Sequence, residues 1–148
     1  MADTLPRRAL VAAGLAAAIA PLPRDAGATP AEARELLRRL APGAAREGRV
    51  TLRIEAIVDN GAQVPLVVAV DSPMTEADHV RALHVVAEGN PAPGVASFAF
   101  TPRAGRCEVS MRLRLARSQR VVALAEMSDG SVWTASREVT VTVGGCSA

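Results

Sequence analysis

Lysine and tyrosine are absent from this 148-residue chain; every one of its 17 basic residues is arginine, facing 15 acids. Aromatic residues make up only 2%, and the arginines are scattered with no run of five or six. Nucleic-acid binding needs a basic stripe, or aromatic rings on which bases stack, and neither is present. Long apolar runs are missing too. The longest, Ala9 to Ala20, covers about 12 residues, against the roughly 20 that a membrane-spanning helix requires. With two cysteines and two histidines, the chain has no metal-ligand cysteine pair and no Ser-His-Asp spacing. Nucleotide-binding loops, internal repeats and low-complexity segments are also lacking. What remains is a globular balance, 49% hydrophobic and 22% charged, in a length that suits one domain with a real core.

The first 28 residues read as an export signal. Arg7 and Arg8 precede the short apolar run, and Pro21, Pro23 and then Ala26-Gly27-Ala28 follow it. The arginine pair points to the twin-arginine route, although Pro6 stands where Ser or Thr is usual. Setting residues 1–28 aside leaves a nearly neutral protein whose charge alone specifies no partner.

Thr29-Pro30-Ala31-Glu32 then has the form of a helix start. Thr29 caps, Pro30 suits the first helical position, and Glu32 completes a capping box. Ala33, Leu36, Leu37 and Leu40 share one face, and Pro42-Gly43 ends the helix. Residues 29–47 are thus expected to form a helix and linker.

From Arg49 the period changes to two. Val50, Leu52, Ile54 and Ala56 alternate with Thr51, Arg53 and Glu55, as in a half-buried strand. After the Asn60-Gly61 turn comes a second strand, Val64 to Val70. Further strands are expected at Val80–Ala87, Ala96–Thr101, Cys107–Leu115, Arg120–Met127, Val132–Ala135 and Glu138–Val143. Seven or eight short strands at this spacing predict an all-β fold, an antiparallel β-sandwich over residues 48–143. Residues 144–148 form a tail.

The two cysteines differ in setting. Cys107 shares a strand face with Val109, Met111, Leu113 and Leu115, so it is expected in the core as a small hydrophobe. Cys146 follows Gly144 and Gly145, which free the backbone and act as a hinge. Fully extended, the tail carries its thiol about 10 Å past the last strand, enough to enter a cleft on another protein. No histidine or arginine lies near it in sequence to lower its pKa, and the terminal carboxylate two residues away acts in the opposite sense. Activating groups must therefore come from a partner, which favours a carrier over an enzyme. The competing reading is an exported structural or interaction sandwich whose cysteines form a disulfide.

Several other polar residues have simpler readings. Glu76, Asp78 and His79 are expected in an exposed loop rather than around a metal. His84 reads as a hydrogen-bonded core histidine, Trp133 as core, and Asp129-Gly130 as a turn.

A set of short segments resembles one family. They are Asp59-Asn60-Gly61 with Val64-Pro65; Val70 to Asp78, containing Asp71-Ser72-Pro73-Met74-Thr75; His84-Val85; Asn90-Pro91; Phe98 to Pro102; Leu115-Ala116; Ala125 to Ser131, containing Glu126-Met127-Ser128-Asp129-Gly130-Ser131; and Val141 to Cys146. Together they resemble SoxY, the sulfur-carrying subunit of the periplasmic thiosulfate-oxidising system. The resemblance implies an immunoglobulin-like sandwich paired with a second small sandwich subunit, SoxZ. It also implies a covalent attachment site at Cys146, where thiosulfate is held as a cysteine S-thiosulfonate. Gly144 and Gly145 would be the swinging hinge. Partner enzymes would process the bound sulfur, and the carrier itself would use no cofactor. Two positions depart from the pattern: Ser147-Ala148 stands where the family commonly has Gly-Gly, and Cys107 stands where alanine is expected.

Overall fold

The computed structural model describes residues 29–143, so the signal-like segment and the Gly144–Ala148 tail lie outside the described residues. Helix α1 (Pro30–Leu40) begins with the expected capping box. Thr29 Oγ1 accepts from the Glu32 backbone N–H, and Glu32 Oε2 accepts from the Thr29 N–H at 2.7 Å. Nine strands follow among the described residues: β1 (Arg46–Glu47), β2 (Val50–Arg53), β3 (Ile57–Asn60), β4 (Val64–Val70), β5 (Val80–Ala87), β6 (Gly94–Ala99), β7 (Cys107–Leu113), β8 (Gln119–Met127) and β9 (Val132–Val143).

They form a sandwich. The larger sheet has six strands, ordered β1-β9-β8-β5-β6 with β3 added on β9, and the smaller one is β2-β4-β7. Alternation places Val64, Leu66, Val68 and Val70 of β4 against Leu83, Val85, Val121, Ala123 and Ala125 of the facing sheet. Helix α1 covers the outer face of the larger sheet. Leu36, Leu37, Leu40 and Ala41 pack on Val86, Val122, Leu124 and Val132, which explains why β8 is apolar on both faces. Each leucine so covered contributes of the order of 1–2 kcal/mol.

Most pairings are antiparallel, as expected, but β1 and β3 both run parallel to β9. Besides shifts of one or two residues at the ends of β6, β7 and β8, three boundaries differ from the sequence reading. The linker is shorter than 29–47, because Arg46 and Glu47 join the sheet beside Trp133 and Thr134. The first strand stops at Arg53, where the chain leaves β4 and moves across to β9 at Ile57. The two expected late strands are one: Ser136 and Arg137 stay in register with Val122 and Val121, so β9 runs unbroken for 12 residues.

Candidate functional site

β9 delivers the tail. Its last described residue, Val143, pairs with Asn60, and Thr142 Oγ1 donates to the Asp59 carbonyl at 2.9 Å. Ser118 brackets the strand one step earlier, its Oγ accepting from the Val141 N–H at 2.9 Å. The surrounding loops are tied by two amide side chains. Asn90 Nδ2 donates to the Arg114 carbonyl at 2.7 Å, while its Oδ1 accepts from the Ala116 N–H and from Gln119 Nε2. Gln119, buried to 7% exposure, accepts in turn from the Gly89 N–H at 2.7 Å. A buried amide must find partners for its polar atoms, so this network fixes three loops around the tail's point of departure. The Asn90–Gln119 pair was not foreseen; the one available signal was a glutamine opening an otherwise apolar strand.

The segments Asp59-Asn60-Gly61, Asn90-Pro91, Leu115-Ala116 and Val141-Thr142-Val143 therefore meet at one end of the sandwich. Val70 to Asp78 and Ala125 to Ser131 knot together at the opposite end. Ser72 Oγ accepts from the Met74 N–H, and Ser128 Oγ accepts from the His79 N–H at 3.1 Å while donating to the Ala77 carbonyl. Met74 adopts φ 51° and is buried at 5% exposure, which pins the loop to the core. Arg49 reaches Asp78 with N···O distances of 2.9 and 3.2 Å, and its Nε donates to the Asp71 carbonyl. The guanidinium carbons of Arg46 and Arg49 stand 6.0 and 5.8 Å from the Trp133 ring centre. Trp133 Nε1 donates to Ser131 Oγ, whose own hydroxyl donates to Asp129 at 2.6 Å. The Ser131 hydroxyl, then its backbone N–H, hold the Asp129 carboxyl below its ordinary pKa, with Arg49 adding a smaller pull.

The remaining sequence candidates separate clearly. Cys107 is a free thiol, 2% exposed at the start of β7, and burial pushes its pKa up to about 11. It is thus protonated and unreactive at neutral pH. Cys146, Gly144 and Gly145 lie outside the described residues. Asp78 and His79 do not converge on a shared centre. Asp78 is bound to Arg49, and His79 Nδ1 lies 3.0 Å from the Thr75 carbonyl. Among the described residues no group of three or more His, Cys, Asp or Glu side chains gathers. His84 is hydrogen-bonded as expected, but on the helix-covered face of the larger sheet. It lies between Ser97 Oγ at 2.7 Å and Glu126 Oε1 at 3.0 Å. This serine–histidine–glutamate line crosses three strands and cannot be found by sequence spacing. With both ring nitrogens engaged, it cross-links the sheet rather than offering a free base. Among the described residues no helix is long and apolar enough to cross a membrane.

Comparison with known proteins agrees with this arrangement. The family model described as sulfur oxidation protein SoxY matches residues 37–146, a span ending on Cys146 itself. The sulfur carrier protein SoxY from Chlorobium limicola f thiosulfatophilum superposes with a TM-score of 0.63 at 27% identity. That likeness covers 78% of this chain and all of that one. A superoxide reductase (neelaredoxin) from Ignicoccus hospitalis gives a TM-score of 0.55 at 22% identity, over 64% of this chain and 80% of its own. A superoxide reductase from Nanoarchaeum equitans gives 0.51 at 13% identity, over 65% and 100%. At those identities the reductases share the fold alone. No curated protein matches the chain. Since the SoxY model spans most of the sequence and the fold matches a solved SoxY along its whole length, this chain belongs to the SoxY family.

Proposed function

We propose that the protein carries sulfur intermediates covalently on Cys146, as cysteine S-thiosulfonate and related adducts, and presents them to separate enzymes of a thiosulfate-oxidising system. Gly144 and Gly145 act as the hinge, and the folded body stays outside the enzyme that the tail enters. The protein is exported to the periplasm by residues 1–28, pairs there with a SoxZ-like sandwich subunit, and performs no catalysis of its own. The observation that carries this reading is the family match, which extends through the tail to Cys146.

Geometry supports it over the disulfide alternative. Cys107 pairs with Val70, at the far end of β4 from Val64 and the Asn60 turn where the tail begins. Those six steps along β4 amount to about 20 Å. Cys146 lies three residues beyond Val143, a reach of about 10 Å. A bridge within one chain, which requires Cα atoms within about 7 Å, would ask more than that reach of the tail.

Intact-mass analysis under non-reducing conditions, with and without thiosulfate and the partner enzymes, tests the reading. Sulfur and sulfonate adducts that vanish in Cys146→Ser are expected. A uniform loss of two hydrogens per chain, with no adduct under any condition, would replace the carrier by a disulfide-bonded sandwich.

A further inference from the structure

Two turns of the sandwich are built alike, one at each end. Asn60 Oδ1 accepts from the Ala62 N–H at 2.8 Å, across Gly61. Asp129 Oδ1 accepts from the Ser131 N–H at 2.8 Å, across Gly130. Each side chain is thereby folded back over the peptide that joins its residue to a glycine. With no glycine side chain to crowd it, that peptide nitrogen is free to approach the side-chain carbon.

Chemistry separates the two turns. The Gly130 N–H is committed to the Met127 carbonyl at 3.0 Å, and the Asp129 carboxylate, bound by the Ser131 hydroxyl and N–H, is a poor electrophile. Asn60 instead presents an uncharged amide on an exposed residue, and the Gly61 N–H has no partner among the described residues. The Ala62 N–H meets Oδ1 where negative charge develops as the amide carbon is attacked, the role of an oxyanion-stabilising donor. The chain's other asparagine cannot follow. Asn90 precedes Pro91, whose nitrogen carries no hydrogen, and its own amide is held by Arg114, Ala116 and Gln119.

We propose that Asn60 is a self-modification site, deamidating to aspartate and isoaspartate at the root of the tail. The Gly61 nitrogen loses its proton to hydroxide and bonds to Asn60 Cγ. The Cγ–Nδ2 bond breaks, and ammonia leaves after taking a proton from water. Water then opens the cyclic imide at either carbonyl, and no electrons are exchanged. Opening on one side leaves a new carboxylate next to Asp59. Opening on the other routes the main chain through the side-chain carbon and adds a methylene between residues 60 and 61. Asn60 pairs with Val143, and the Gly61 carbonyl accepts from the Leu115 N–H at 2.8 Å, so the longer chain cannot keep both contacts. The strand end from which the tail departs is loosened, while the turn at the far end stays intact. This inference does not depend on the carrier reading.

The test incubates the full mature chain, folded and in urea, at neutral and mildly alkaline pH, and maps its peptides by mass. The folded chain should gain one deamidation, on the peptide holding Asn60, at a rate within about tenfold of the unfolded chain and rising with hydroxide. An isoaspartate-specific methyltransferase should label that peptide and not the one holding Asp129, and Asn60→Ser should keep its mass. In the modified fraction, separated by anion exchange, the Leu115 and Val143 amides should exchange at least about threefold faster, with Trp133 unchanged. A folded chain that keeps its mass while the unfolded chain reacts would overturn the inference. So would a gain that maps to a glutamine or persists in Asn60→Ser, labelling at Asp129 instead, or a modified fraction in which Leu115 and Val143 exchange as before.

Discussion

β9 runs the length of the sandwich, and its two ends are held by different means. At Val132–Trp133 the strand starts beneath two arginines, a serine–aspartate pair and a loop pinned by a buried methionine. At Thr142–Val143 it finishes against Asp59 and Asn60, through one exposed hydroxyl and a short parallel pairing. The first end couples charge, ring stacking and core burial; the second is a hydrogen-bonded lip backed by an amide network. The contrast places the charged and ring contacts of β9 far from the tail root. For the proposed carrier, whose tail would enter other proteins, that separation would keep disturbance at the tail root away from those contacts. The comparison is sharpened by substitutions that load one end and spare the other.

The largest effect is expected at Met74. Truncation to alanine keeps the positive φ and removes a buried side chain, which should cost about 3 kcal/mol in urea unfolding. Adduct formation on Cys146 should be unchanged at temperatures where the variant stays folded. Loss of loading by a folded Met74→Ala protein would show that the two ends are coupled.

Next comes the buried thiol. Its pKa of about 11 in the folded protein lies above the roughly 8.5 of a free cysteine. The folded state therefore keeps its proton where the unfolded chain gives it up. The resulting stability is fully present below about pH 8.5 and is lost as pH rises through 11, about 3 kcal/mol in all. The chain is well suited to this measurement, since lysine and tyrosine, which normally titrate in the same window, are absent. Unfolding midpoints across pH 8–11 should fall in the native protein and stay level in Cys107→Ala. An equal fall in both would assign the alkaline loss elsewhere. Thiol labelling at pH 8 should accordingly modify Cys146 quickly and Cys107 only after unfolding.

Arg49→Gln should have a smaller effect, about 1 kcal/mol. The ion pair with Asp78 is partly open to water, with side chains 23% and 44% exposed, so solvent screens much of its value. The bond to the Asp71 carbonyl and the contact with Trp133 account for the rest. A shift above 3 kcal/mol in urea unfolding would mean that the arginine holds the knot together by itself.

Sequence patterns reveal these parts unequally, for physical reasons. The helix start was legible because capping is local: Thr29 and Glu32 are three residues apart and bond each other. β4 and β5 were legible to the residue, since a strand with one buried face writes its period into the chain. Alternation reports burial, however, and not which strand is the partner. Ile54 is buried in phase with Val50, so nothing in the pattern marks where the backbone leaves β4 for β9. Ser136-Arg137 looked like a break because polarity implies exposure, but exposure does not end a ladder whose hydrogen bonds go to β8. The burial of Cys107 followed from its neighbours at every second position. The Asn90–Gln119 network joins residues 29 apart and leaves no local trace beyond a glutamine at the head of an apolar strand. Within the candidate site, Cys146 stood out by position, after the last strand and behind two glycines, whereas the frame that sets its point of departure became visible only in three dimensions.

The smallest effect is expected at the tail root. Thr142→Val keeps the β-branched shape and removes the hydroxyl that donates to the Asp59 carbonyl. Water can satisfy that carbonyl at the surface, so the cost should be about 0.5 kcal/mol, close to the limit of a denaturation experiment. Amide exchange is the better probe. Val143 should exchange several-fold faster in the variant, while Trp133, at the other end of the same strand, should not change. Fraying of one residue lengthens the free tail by about 3.4 Å, so Cys146 should be loaded by its partner enzyme at least as fast as before. Slower loading would mean that the root must be rigid to aim the thiol. Destabilisation beyond 2 kcal/mol would mean that this end, too, belongs to the core, and the contrast between the ends of β9 would collapse.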